Sequence, residues 1–180
     1  MDRLLELLRE HSVRRGEILL SSGKTSDFFV DCKQTVLRAE GHVLVGAAMA
    51  AALRRLPGAV DAVAGVELGG CPLASAVAMH TQLEGEGLDA VYVRKAEKGH
   101  GSRRRLEGDG PLPERARIAI LEDVVTTGGS TLRAVEAIRG AGYEVAGVVA
   151  IVDRGEGGAE AIEQAGIPFL ALYGRGELIR

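Results

Sequence analysis

The sequence has no tryptophan, and aromatic residues make up only 3% of it. Any core must therefore be built from Ala, Val, Leu and Ile. There are two cysteines, Cys32 and Cys71. They stand far apart, with no metal-ligand spacing, which reads as two reduced thiols rather than a disulfide framework or a zinc site. No hydrophobic run approaches the length of a membrane span, and the N-terminus shows no charged-then-apolar leader pattern. The expected location is the cytoplasm. A net charge of −3 counts against general nucleic-acid binding. Glycine is plentiful, with 25 residues, many of them where loops are expected. At 180 residues and 46% apolar content, the chain suits one domain (1–180) with a sizeable core.

Hydrophobic spacing gives the order of elements. Residues 2–11 form a short amphipathic helix, and residues 18–32 are extended around a Ser-Ser-Gly-Lys turn. Residues 40–56 form an Ala-rich helix stopped by Pro57-Gly58. A buried strand at 62–66 leads into a Gly69-Gly70 turn and a helix opening at Pro72, where proline is tolerated. A strand at 91–93 is followed by a polar loop over 95–111. Strands at 117–121, 145–152 and 169–172 alternate with helices at 131–139 and 159–165. From about residue 40 the alternation predicts an α/β fold with a mainly parallel central sheet flanked by helices. The first 40 residues fall outside it and are expected to form a small hood over the strand ends of the 41–180 core.

The most informative stretch is Ile118-Ala-Ile-Leu-Glu-Asp-Val-Val-Thr-Thr-Gly-Gly-Ser-Thr131. It reads as an apolar strand, two carboxylates, a small-residue turn and a helix. That is the layout of a phosphate-and-ribose site at the carboxyl end of a parallel strand. The small residues let backbone N–H groups approach an anion, and the helix N-terminus adds a favourable dipole. Glu122 and Asp123 would repel a phosphate. They suit ribose hydroxyls or a bound divalent cation instead. Helix capping by Ser130 or Thr127 explains one or two of these residues, but not the paired carboxylates.

Four further clusters carry chemistry. Arg94-Lys95-Ala-Glu-Lys98-Gly-His100-Gly packs cationic groups into one loop after a strand end. It is either a solvated basic loop or a closing loop over an anionic leaving group. Ser21-Ser-Gly-Lys24-Thr-Ser-Asp-Phe28-Phe29 holds two of the chain's three Phe residues. One can face the core while the other walls a flat ring; a two-sided buried strand is the alternative. Asp153-Arg154-Gly155 ends a strand, and its Arg suits a carboxylate or a surface pairing with Asp153. Gly65-Val-Glu-Leu68-Gly69-Gly70 is a Gly-rich turn, weak evidence by itself. Arg103, Arg104 and Arg105 read as solvated face.

The 118–131 stretch resembles the phosphoribosyl-diphosphate (PRPP) motif of type I phosphoribosyltransferases, with Glu122 where Asp is more usual. Arg94-Lys95-x-x-Lys98-x-His100-Gly101 is similar to the catalytic loop of the orotate phosphoribosyltransferases. The resemblance spans roughly residues 12–156, and the last 25 or so residues add little to it. It implies the type I phosphoribosyltransferase fold and transfer of the 5-phosphoribosyl group from PRPP to orotate. The products are orotidine 5′-phosphate and diphosphate, in de novo UMP biosynthesis.

By the same resemblance, Lys24, Leu68, Gly69, Arg94, Lys95, Lys98, His100, Glu122, Asp123, Val124, Val125, Thr126, Thr127, Gly128, Gly129 and Ser130 bind PRPP. Phe28, Phe29, Thr126 and Arg154 meet orotate. Lys95, Lys98, His100 and Asp123 are the catalytic group. Mg²⁺ is held mainly by PRPP and water rather than by the protein. The family works as a homodimer whose loop crosses to the neighbour's site, with Lys95 supplied by the partner. Some members of the family carry Tyr-Lys where this chain has Leu68-Gly69, so their lysine contact is missing here and backbone N–H groups of Leu68, Gly69 and Gly70 are left for the diphosphate. Two rivals share part of the pattern. A type I enzyme for a purine would keep the acidic motif but not the hood, the basic loop or Arg154. A PRPP-sensing regulator would need a basic reading surface.

Overall fold

The computed structural model describes residues 2–19, 25–95 and 105–180. Lys24, Lys98, His100, Arg103 and Arg104, all named above, lie outside them. The elements run α1 (Arg3–Leu7), a π-helical turn (Leu8–Ser12), β1 (Val13–Leu19), β2 (Thr25–Val30), α2 (Lys33–Val36), α3 (Ala39–Leu53), β3 (Ala62–Val66), α4 (Cys71–Leu83) and β4 (Asp89–Val93). They continue through β5 (Leu106–Glu107), β6 (Arg117–Val125), α5 (Gly129–Gly140), β7 (Glu144–Asp153), α6 (Gly158–Gln164), β8 (Phe169–Gly174) and α7 (Arg175–Leu178).

The central sheet has the order β5-β4-β3-β6-β7-β8. All its pairings are parallel except that of the short edge strand β5. A parallel sheet is covered on both faces, so its strands are apolar throughout. All five residues of β3 are buried, as are Ile118–Leu121 of β6. On one face, Val63, Ala119 and Ile151 pack with α1, α3 and α4 through Leu4, Met49 and Leu73. On the other, Ala64, Ile120 and Val148 pack with α5 and α6 through Ile138 and Ile162. Each fully buried Leu or Ile contributes about 1.5–3 kcal/mol, so these two aliphatic layers replace the missing aromatics. Among the described residues no helix is long and apolar enough to cross a membrane.

Several boundaries differ from expectation. α3 stops at Leu53 because its last turn tightens: Arg55 and Leu56 donate to the carbonyls of Ala52 and Leu53. β5, expected as loop, forms because Leu106 is buried against Val93. β6 runs four residues past Leu121, since Val124 and Val125 pair with Val152 and Asp153. The carboxylate pair therefore sits on the strand, not beyond it.

The hood is partly as expected. β1 and β2 form an antiparallel pair separate from the main sheet. Its anchor is the C-terminal segment, whose importance the sequence did not reveal. Arg9 donates to the Glu177 carbonyl at 2.7 Å and Arg15 to the Ile179 carbonyl at 2.6 Å. The Tyr173 hydroxyl donates to Asp2 at 2.7 Å. Residues 173–179, from the end of β8 through α7, thereby tie the N-terminal region to the C-terminal one.

Candidate active site

Successive side chains alternate along a strand, so Glu122 and Asp123 point to opposite sides of β6. Glu122 turns toward the start of α5. It is 4% exposed and accepts hydrogen bonds from Thr131 at 3.0 Å and Ser130 at 3.4 Å. Burial, reinforced by the neighbouring Asp123 charge, pushes its carboxyl up to about 7, while the two hydroxyls and Lys95 pull it back. Lys95 thus acts on the carboxylate of its own chain, a role separate from the cross-subunit one implied by the resemblance.

The shift has a definite sign. The native state binds this proton more tightly than the unfolded chain, whose ordinary value is 4.5. The contribution to stability is therefore full below that value and is lost as pH rises through about 7, by roughly 3 kcal/mol. Urea unfolding at pH 5 and pH 8 checks this. Glu122→Gln should flatten the difference, and parallel pH dependences for the two proteins would contradict the assignment.

Asp123 faces the turn after β3. Its Oδ1 accepts the Val124 N–H at 2.9 Å, and the Cys32 thiol donates to its carbonyl at 3.7 Å. A Cβ on Gly69 would lie 2.0 Å from Asp123 Oδ2. Glycine at 69 therefore leaves room for this turn to lie against the Asp123 carboxylate. Gly69→Ala must displace either the carboxylate or the turn. A misplacement of ~1 Å can reduce rate ~100-fold, so kcat/KM for PRPP should fall by about that factor in steady-state assays. An unchanged kcat/KM would show that Asp123 need not sit there.

The turn itself is only partly available to an anion. Leu68 is exposed, but the Gly70 N–H is taken by the Val66 carbonyl at 2.8 Å. That leaves Leu68 and Gly69 of the three expected donors. Glu67, given no role of its own in the sequence motif, links this turn to the base of the basic loop: its carboxylate accepts the Lys95 N–H at 3.0 Å.

At the end of β4, Arg94 pairs with Glu107 at 3.3 Å, and its buried Nε has no hydrogen-bond partner among the described residues. Arg105, expected as solvated face, instead donates to the carbonyls of Arg94 and Lys95 at 3.2 Å each. Both line a cavity of about 100 Å³ with Lys95, Ser130 and Arg133. The helix periodicity gave no reason to single out Arg133. Its position one turn inside α5 puts it there.

The turn from β6 to α5 holds the other predicted PRPP residues. Val125 is buried, so only its backbone can face a ligand; Thr127 and Ser130 are exposed, and Gly128 is the N-cap of α5. Gly129 opens the helix. Val125 pairs with Asp153, so Thr126 and Arg154 leave the sheet side by side.

Phe28 is the core-facing member of the aromatic pair at 1% exposure, and Phe29 is half-buried. The Arg154 guanidinium lies 5.8 Å from the Phe28 ring centroid, and that of Arg175, at the start of α7, lies 5.3 Å from it. Asp153 does not pair with Arg154. It accepts the Gly155 N–H at 2.9 Å, and Arg154 meets Glu156 at 2.8 Å. Among the described residues no group of three or more His, Cys, Asp or Glu could hold a metal ion. With Glu122 and Asp123 diverging, the chain offers single carboxylates rather than a cage. That donor set fits a cation carried in by a phosphorylated substrate.

A strand-end acidic pair, a small-residue turn opening a helix and a facing Gly-rich turn are the parts of a nucleotide-sugar phosphate site. The phosphoribosyl transferase domain model matches residues 35–165. A curated orotate phosphoribosyltransferase of Sorangium cellulosum is 59% identical over 99% of this chain and 92% of its own length. Two crystal structures of the Mycobacterium tuberculosis orotate phosphoribosyltransferase are similar throughout. The complex with Fe(III) dicitrate has a TM-score of 0.85 at 37% identity, covering 98% of this chain and 97% of that one. The complex with PRPP has a TM-score of 0.82 at 34% identity, covering 99% and 98%. The chain belongs to the orotate phosphoribosyltransferase family, within the wider phosphoribosyl transferase class.

Proposed function

We propose that this site transfers the 5-phosphoribosyl group of PRPP to the ring nitrogen of orotate, releasing diphosphate and giving orotidine 5′-phosphate for UMP synthesis. The observation that carries the reading is the meeting of four strand ends. Asp123 on β6 lies against Gly69 after β3, the Lys95 N–H after β4 is held by Glu67 of that same turn, and Arg154 after β7 leaves the sheet beside Thr126.

Each part has a task. Backbone N–H groups of the turn 126–130 hold the 5-phosphate at the start of α5. Asp123 accepts the ribose hydroxyls, and Glu122, buried on the other side of β6, holds Ser130 and Thr131 at the start of α5. Leu68 and Gly69 present backbone donors to the diphosphate, beside Arg94 and Lys95. As the bond to the anomeric carbon breaks, positive charge grows on the ribose and negative charge on the leaving group. Asp123 stabilises the first and the cationic groups at the end of β4 the second. Lys24, Lys98 and His100 complete that set by resemblance. Mg²⁺ neutralises the diphosphate when bound. Arg154 reads the orotate carboxylate, and Phe29, half-buried beside Phe28, walls the base. The working form is a cytoplasmic homodimer sharing its basic loop. Product analysis with orotate, uracil and adenine as acceptors tests the reading: turnover of orotate alone supports it, and turnover of adenine alone overturns the base.

A further inference from the structure

The assignment of Arg154 leaves a question about its free edge. Its side chain is 10% exposed, and its Nε is buried with no hydrogen-bond partner among the described residues. A buried donor without an acceptor is unfavourable, and a ligand that supplies one relieves it. Among the described residues the one ion pair of Arg154 uses Nη2, on Glu156 Oε1 at 2.8 Å. Nη2 carries two hydrogens, and one of them lies on the same edge as the Nε hydrogen. Glu156 contacts Nη2 alone, which leaves Nε without an acceptor, one that a carboxylate of the substrate would supply together with the second Nη2 hydrogen.

The local chain is shaped for this. Gly155 at φ 67° and Gly157 at φ 89° bracket Glu156 and fold it back toward the residue two before it. Asp153, the other nearby carboxylate, is committed to the Gly155 N–H. The ring of Phe28 covers one side of the guanidinium and a second cation, Arg175, lies over the same ring. Glu156 is the carboxylate in direct contact with Arg154.

We infer that Glu156 is a positioning residue for base recognition: it fixes the Arg154 guanidinium by one nitrogen and turns the Nε edge toward the carboxylate of the acceptor base. The inference rests on the reading of Arg154 given above. It makes Glu156 a specificity determinant that stays bound to Arg154 in the loaded site, rather than a stand-in that the substrate expels.

Steady-state kinetics on the full chain separate these roles. Glu156→Ala should raise KM for orotate about tenfold, the equivalent of one modest charge-assisted hydrogen bond. KM for PRPP and Tm should stay as in the parent. Glu156→Gln keeps an oxygen for Nη2 and should recover most of the loss. An unchanged KM for orotate in Glu156→Ala overturns the inference. A lowered KM also overturns it, since it shows a carboxylate competing with the substrate. Arg154→Ala, run alongside, locates the failure. If it raises KM for orotate while Glu156→Ala does not, only the role of Glu156 falls; if neither does, the reading of Arg154 falls with it.

Discussion

Arg154→Ala should lower kcat/KM for orotate by about 10²–10³ while leaving KM for PRPP near its parent value. The magnitude follows from where the guanidinium sits. It is nine-tenths buried, stacked on Phe28 and held by Glu156. A carboxylate that enters loses its hydration, and this fixed cation is what replaces it. Without Arg154 the base would bring an unpaired charge into a low-dielectric wall, at a cost of several kcal/mol. Arg154→Lys should recover little, because an ammonium lacks the two-pronged edge. Fold loss is not expected to mask the effect: the backbone N–H of residue 154 keeps its bond to the Val125 carbonyl at 3.0 Å. Comparable kcat/KM for parent and variant would remove the basis for orotate as the acceptor.

Asp123→Asn should lower kcat by about 10²–10³ with a much smaller change in Tm. Asn keeps the volume and the oxygen that accepts the Val124 N–H. What disappears is the negative charge beside the ribose as its anomeric carbon becomes cation-like. Glu122→Gln makes the useful contrast. With its carboxyl pushed up to about 7, Glu122 is already partly neutral near physiological pH. The same neutralisation there should lower kcat only a few-fold, within the ~1 kcal/mol of one modest hydrogen bond. The two carboxylates are adjacent in sequence, yet the strand sends one into the protein and the other toward the facing turn. Equal losses in the two variants would show that they act as one unit.

The fold was legible where periodicity was strong. β3 falls on the expected residues, and β7, α5 and α6 fall within a residue or two of them, because each is bounded by glycine or a charged turn. The extension of β6 was not legible. Val124 and Val125 read equally well as turn or strand until β7 supplies partners for them. α2 and α7 are four residues each, too short to show a repeat.

The site was legible as a set of motifs and not as a geometry. The sequence marks Glu122-Asp123 and Arg154 as the groups to watch. It does not show that Glu122 is buried under Thr131, that Gly69 touches Asp123, or that Arg105 clamps the carbonyls at the base of the basic loop. The Gly69–Asp123 contact joins two strand ends far apart in the chain, and the other two link residues on either side of a turn and of a loop, where periodicity carries no signal. Arg175 was passed over for the same reason, since nothing near it in sequence marks its approach to Phe28.

On the proposed reading, the ends of β3, β4, β6 and β7 form one site that transfers the phosphoribosyl group of PRPP to orotate. The direct measurement is loss of orotate absorbance on mixing the protein with PRPP, Mg²⁺ and orotate, with uracil and adenine in parallel. Rapid loss with orotate, diphosphate released in equal amount and no turnover of the other two bases is the predicted result. Binding of PRPP with no turnover of any base would contradict it, and would leave a sensor of PRPP in place of an enzyme.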